Sequence, residues 1–97
     1  MQALVDQYLQ YLASERRLSP HTNEAYRRDL SLLVDHAGQQ QVTDVAQFRE
    51  FHIRSLLAGL HGRGLSGRSM QRALSAWRQF FAWLGSRRLV DSNPVAA

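Results

Sequence analysis

Met70, Ala73, Leu74, Trp77, Phe81 and Leu84 fall on one side of a wheel turned about 100° per residue. Two large aromatics on a stripe of that width commit the segment to an amphipathic helix with a broad face against a core. Three further segments repeat the spacing, and none shows a run of strand alternation. The chain has 97 residues and no cysteine, so neither disulfides nor thiolate metal sites can staple it. Its core must come from packing these helices on one another. The expected fold class is all-α.

The first helix is expected over about residues 2–16, with Val5, Tyr8, Leu9 and Leu12 inward. The second opens at Ser19, a capping hydroxyl, followed by Pro20 with φ preset for a first turn. Its inner stripe is Tyr26, Leu30, Leu33 and Ala37, and Gly38 is the expected stop. A third helix follows the VTDV stretch, from about Ala46 to His61. Phe48 and Phe51 lie on one side of it, and Ile53, Leu56, Leu57 and Leu60 lie nearly opposite. Apolar residues on two faces predict a helix packed between neighbours, at the centre of the domain. The fourth helix starts at the cap Ser66 and ends at Leu84, with Gly85 as terminator. Asn93-Pro94 forbids a further helix just there. The expected division is a helical domain over 1–91 and the start of a linker over 92–97 that leads to a domain not contained here.

The charge is carried unevenly. All 12 basic residues are arginine, set against 8 acids for a net charge of +4. Codon bias accounts for the lack of lysine, yet arginine is also the side chain suited to bidentate phosphate and guanine contacts. On the fourth helix Arg68, Arg72, Ser75 and Gln79 share a narrow arc opposite the apolar stripe, flanked by Gln71 and Arg78. No acid lies between Arg68 and Leu84. A merely solvated face generally mixes signs, because acid–base pairs one turn apart stabilise a helix. On the second helix His21, Ala25 and Arg28 lie away from the stripe, with Thr22 in the first turn beside open N–H groups that favour anions. Arg27 lies off that face and can pair with Glu24 or Glu15.

Several chemistries find no support. The four histidines lack metal-ligand spacing, no glycine-rich loop follows a strand, and no nucleophile–base order suggests a triad. His52 and His61 read as packing or surface residues, and Tyr8, Tyr11 and Tyr26 fall on or near inward stripes. No catalytic residue, metal site or cofactor is expected. No apolar run approaches the roughly 18 to 20 residues that span a bilayer. The amphipathic, acid-bearing N-terminus does not read as a signal peptide, so no membrane partner and a cytoplasmic location are expected.

LSPHTNEAYRRDL, GLSGRSMQRALSAWRQFFAWL and the closing NP, in that order, resemble the N-terminal core-binding domain of Xer-type tyrosine recombinases. The resemblance covers essentially the whole chain. It implies a four-helix orthogonal bundle, the SAM-like fold of the tyrosine recombinase and phage integrase type. Such a domain covers one face of double-stranded DNA, with its second and fourth helices at the major groove, while a second domain closes from the other side. Carried over residue by residue, the DNA contacts fall on His21, Thr22, Ala25 and Arg28, and on Arg68, Ser69, Arg72, Ser75 and Gln79. The family's chemistry is transesterification by a tyrosine, carried by the C-terminal domain, so this chain is expected to bind DNA and not to cut it. The resemblance also implies a partner recombinase of the same family in a tetrameric synaptic complex that resolves chromosome dimers, with the fragment alone a monomer.

Two other readings stand beside this one. A small helical protein–protein interaction module would turn the basic face to an acidic partner and bind duplex DNA little. A helix-turn-helix regulator would be a compact dimer on a palindrome, and the long fourth helix with no tight turn before it argues against that. On the leading reading, charge reversal at Arg72 is expected to weaken duplex binding strongly while leaving helicity intact.

Overall fold

The computed structural model describes residues 1–95, so the last two residues of the expected linker lie outside the described residues. Four α-helices follow one another: α1 Gln2–Ser14, α2 Pro20–Gln39, α3 Glu50–Gly62 and α4 Gly67–Ser86. A single 3-10 turn, Val45–Gln47, precedes α3, and no strand occurs among the described residues. The all-α, four-helix architecture read from the periodicity is the one observed.

Helices α2 and α4 begin alike. Ser19 and Ser66 sit in extended backbone, and their hydroxyls accept from Thr22 N at 3.2 Å and Ser69 N at 3.1 Å. Each cap also bonds the hydroxyl three residues on, Thr22 Oγ1 at 3.0 Å and Ser69 Oγ at 3.1 Å. A cap of this kind satisfies one of the helix's free N–H groups and fixes where the first turn starts.

The helices also end alike, and not at the glycines expected. Gly38 and Gly85 lie inside α2 and α4. The chain turns instead at residues in the left-handed region: Arg17 at φ 51°, Gln41 at 59°, Gly64 at 86° and Arg88 at 60°. The next residue, each time apolar, donates its N–H back to a buried carbonyl. Leu18 reaches Leu12 O (3.2 Å), Val42 Ala37 O (2.8 Å), Leu65 Leu60 O (3.0 Å) and Leu89 Leu84 O (2.9 Å). This is the logic of a Schellman-type stop, in which an apolar residue past the end folds back on the last turn. A helix here continues until such a residue arrives, so glycine content alone misplaced the stops.

The third segment differs more. Asp44 caps the 3-10 turn through Ala46 N (2.9 Å), and Gln47 Oε1 accepts from Thr43 N (2.9 Å) and Asp44 N (3.1 Å). Phe48 and Arg49 are then extended, and α3 starts four residues later than expected. Phe48 enters the core edge-on to Phe81, with ring centroids 5.4 Å apart. Phe51, on α3 itself, is 54% exposed. The two-faced pattern therefore comes from two elements and not from a sandwiched helix. The central pair is α2 against α4, with α1 laid on α2.

The core joins Leu30, Leu33 and Ala37 of α2 to Trp77, Phe80, Phe81 and Leu84 of α4, closed by Val5, Tyr8, Leu9 and Leu12 of α1. Burial pushes the Tyr8 phenol up to about 12, so it stays protonated as a core aromatic. Past α4, Asn93 Nδ2 donates to Arg78 O at 3.0 Å and Val95 is buried against the core.

His52 is buried on α3, where its Nδ1 accepts from Arg49 N at 2.9 Å. Burial first, then the charges of His36 and Arg49, pull its pKa below the ordinary 6.5. The unfolded chain binds this proton more readily, so the stability His52 contributes is complete above pH 6.5 and drains as pH falls toward the depressed value. His52→Gln, which keeps an acceptor for Arg49 N, should unfold with a midpoint that no longer declines over that acidic window. Separately, Gln41→Gly removes a side chain from a left-handed position and should raise stability by about 0.5–1 kcal/mol in urea titrations. An unchanged midpoint would mean that this turn holds no strain.

Candidate nucleic-acid interface

Arg72 is where α2 and α4 meet. Its Nε donates to Asp29 Oδ2 at 3.0 Å and its Nη2 to Asp29 Oδ1 at 2.8 Å, a side-on bidentate pair. Asp29 is 1% exposed, whereas the Arg72 side chain is 45% exposed. Trp77, a turn and a half further along α4, donates Nε1–H to the Asp29 carbonyl at 2.7 Å. One residue of α2 thus receives two contacts from α4, through its carboxylate and through its backbone. The hydrogen bonds to Asp29 hold the guanidinium still more firmly protonated than usual.

This seam places the other candidates. Residues four apart on a helix share a face, so His21 and Ala25 line up with Asp29 along α2. Arg68, Arg72, Ser75 and Gln79 line up along α4, and Gln79 Nε2 donates to Ser75 Oγ at 3.2 Å. The two stripes are therefore brought together where Arg72 crosses to Asp29. His21, Arg28, Arg68 and Gln79 are exposed, and Thr22, Ala25, Ser69 and Ser75 are half-buried. Thr22 and Ser69 give part of their hydroxyl capacity to the caps Ser19 and Ser66.

The doubled arginine of α2 resolves into two roles. Arg27 Nε lies 3.6 Å from Glu24 Oε2, with both side chains more than half exposed, a pair of small energetic weight. Arg28 makes no ion pair among the described residues, and neither does Arg68. Unpartnered guanidinium groups thus stand on both helices beside a third that is already paired. Among the described residues no group of three His, Asp or Glu side chains is placed to hold a metal ion. No described helix is long and apolar enough to cross a membrane.

Asp29 is the residue the sequence did not announce. An acid next to Leu30 on the inner edge of an apolar stripe was the available signal, since a buried carboxylate requires a basic partner. Its pairing corrects one expectation directly. Charge reversal at Arg72 would set a second carboxylate against a buried one, so such a variant would lose the α2–α4 seam and not DNA contacts alone.

An all-helical domain with one single-signed polar face is the class that this geometry defines. The chain belongs to the family described as "Phage integrase, N-terminal SAM-like domain", whose model matches residues 5–88. It is 45% identical to "Tyrosine recombinase XerC" of Xanthomonas axonopodis pv. citri over 96% of this chain and 34% of that protein. A protein of the same name from Ralstonia pickettii is 49% identical over 91% of this chain and 27% of its own length. Another, from Xylella fastidiosa, is 43% identical over 99% of this chain and 33% of its own. The chain therefore spans about a third of the length of these relatives. No solved structure matches it significantly.

Removing one partner of the Asp29–Arg72 pair should cost unequal amounts. Arg72→Ala strands a buried carboxylate, whereas Asp29→Ala leaves a guanidinium that can turn to water. Urea unfolding should give a loss of about 3 kcal/mol for the first and roughly half that for the second. Equal losses would show that the carboxylate finds another partner once Arg72 is gone.

Proposed function

We propose that this chain is the DNA-binding half of a tyrosine recombinase clamp. It grips one face of a recombination half-site through α2 and α4, and strand transesterification belongs to a separate catalytic domain. The observation that carries the reading is the Arg72–Asp29 crossing, which joins the α2 stripe of His21, Thr22, Ala25 and Arg28 to the α4 stripe of Arg68, Ser69, Arg72, Ser75 and Gln79. That face holds free guanidinium groups, hydroxyls and an amide, its acid Asp29 is buried under Arg72, and the exposed Glu24 at its edge is paired with Arg27. Family membership and the names of the relatives support the same assignment. Residues 1–91 are the DNA-binding unit and 92–97 begin the connection to the catalytic domain.

In this reading the exposed arginines neutralise phosphates and fix register, while shorter side chains approach base edges. Ala25 allows close approach and offers a methyl contact, and Ser75 and Gln79 supply directed hydrogen-bonding groups. The full-length protein acts in the cytoplasm with a second recombinase of its family in a tetrameric synapse, resolving chromosome dimers before cell division.

Fluorescence anisotropy with a labelled half-site duplex and a scrambled duplex, at two salt concentrations, tests the binding role. The half-site should bind more tightly, and affinity should fall steeply with salt because phosphate contacts release counterions. Arg68→Glu should weaken binding at least about tenfold with an unchanged helical circular dichroism spectrum. No binding to either duplex at low salt would sink the proposal in favour of a protein-interaction module.

A further inference from the structure

The side-on pair with Asp29 uses Nε and one proton of Nη2, so it leaves the other end of the Arg72 guanidinium free. Two parallel donors remain there, one on Nη1 and the second on Nη2, and neither bonds within the described residues. We infer that Asp29 is a positioning residue that makes Arg72 a base reader, presenting this free Nη1/Nη2 edge to the N7 and O6 acceptors of a guanine. Arg28 and Arg68 hold phosphates. The inference rests on the DNA-binding reading above and adds to it a division of labour among its arginines.

Charge and geometry point the same way. The carboxylate cancels the Arg72 charge at a distance of 2.8 Å, so the pair as a whole is neutral. A phosphate gains little from a neutral pair and releases no counterion to it, while it would also face the carboxylate behind the guanidinium. A guanine asks for something else: two acceptors side by side, matched by two coplanar donors held in direction. Arg72 meets that need because Asp29 fixes the plane of its guanidinium and Trp77 fixes the backbone of Asp29. A flexible side chain loses conformational freedom on binding, and here most of that loss has occurred in the fold. Arg28 and Arg68 have the opposite character, exposed and unpaired, which suits a diffuse charged partner.

The test is selection of the 97-residue chain on a randomised double-stranded DNA library, followed by salt titration of the recovered duplex. The wild-type chain should recover one position with strong guanine preference. Arg72→Lys should lower that preference about tenfold or more while leaving the slope of log affinity against log salt unchanged. Asp29→Asn should lower the same preference yet steepen the slope by about one, because it releases the Arg72 charge. Arg28→Ala and Arg68→Ala should each make the slope shallower by about one and leave every base preference in place. The double variant Asp29→Asn with Arg72→Gln keeps a neutral hydrogen-bonded pair, and its thermal melt separates lost folding from lost reading. A folded double variant that still selects guanine would overturn the inference. So would Arg72→Lys or Asp29→Asn weakening all sequences equally. A wild-type chain that recovers no duplex at low salt would overturn the DNA-binding reading itself, and this inference with it.

Discussion

The packing of this domain turns on one buried carboxylate. Asp29 lies at the α2–α4 seam with 1% of its surface exposed, an environment that penalises a charge by several kcal/mol unless it is compensated. Arg72 compensates it with two charge-assisted hydrogen bonds, and Trp77 adds a third contact to the same residue's carbonyl. These contacts come from positions five residues apart on α4, so they fix both the rotation and the slide of one helix against the other. A hydrophobic seam alone would tolerate small shifts at little cost, because apolar burial is not directional. The hydrogen bonds select one register, and with it the side chains that point outward.

Those outward side chains form the polar surface shared by α2 and α4. Ser19 and Ser66 fix where α2 and α4 begin, and the left-handed turns at Gln41 and Arg88 fix where they end. Helix boundaries are thus local matters, set by caps and by the apolar residue that folds back past each end. The relation between helices is not local. It depends on Asp29 and Arg72, which lie 43 residues apart in sequence. The polar stripe across α2 and α4 exists only when both kinds of constraint hold.

Much of this was legible from residue order. The apolar spacing gave four helices, and the Ser-Pro and Ser-Gly starts fell where the caps are found. A wheel also put Arg28 with His21 and Ala25 and left Arg27 off that face, but Glu24 lies within a turn of both arginines, and only the structure sets its carboxylate beside Arg27. The third segment was misread because one apolar run served two elements. Asp44 and Gln47 close a short turn on themselves, a hydrogen-bonding competition that helical periodicity does not record. Phe80 escaped the predicted stripe although it is fully buried, since α4 is covered over a wider arc than its largest residues suggested.

The sequence by itself determined the helical class, the starts of α2 and α4 and the single-signed polar face of α4, because each depends on neighbours within a few residues. Family membership is equally a property of residue order, carried by residues 5–88. Only the tertiary structure decided that α2 and α4 are the central pair, that Phe48 is core while Phe51 is surface, and that Arg72 is held by Asp29. The physical reason is that an arginine on an outer face looks the same in sequence whether it meets water, a phosphate or a buried acid. Its partner lies on another helix, and only the fold brings the two within 3 Å.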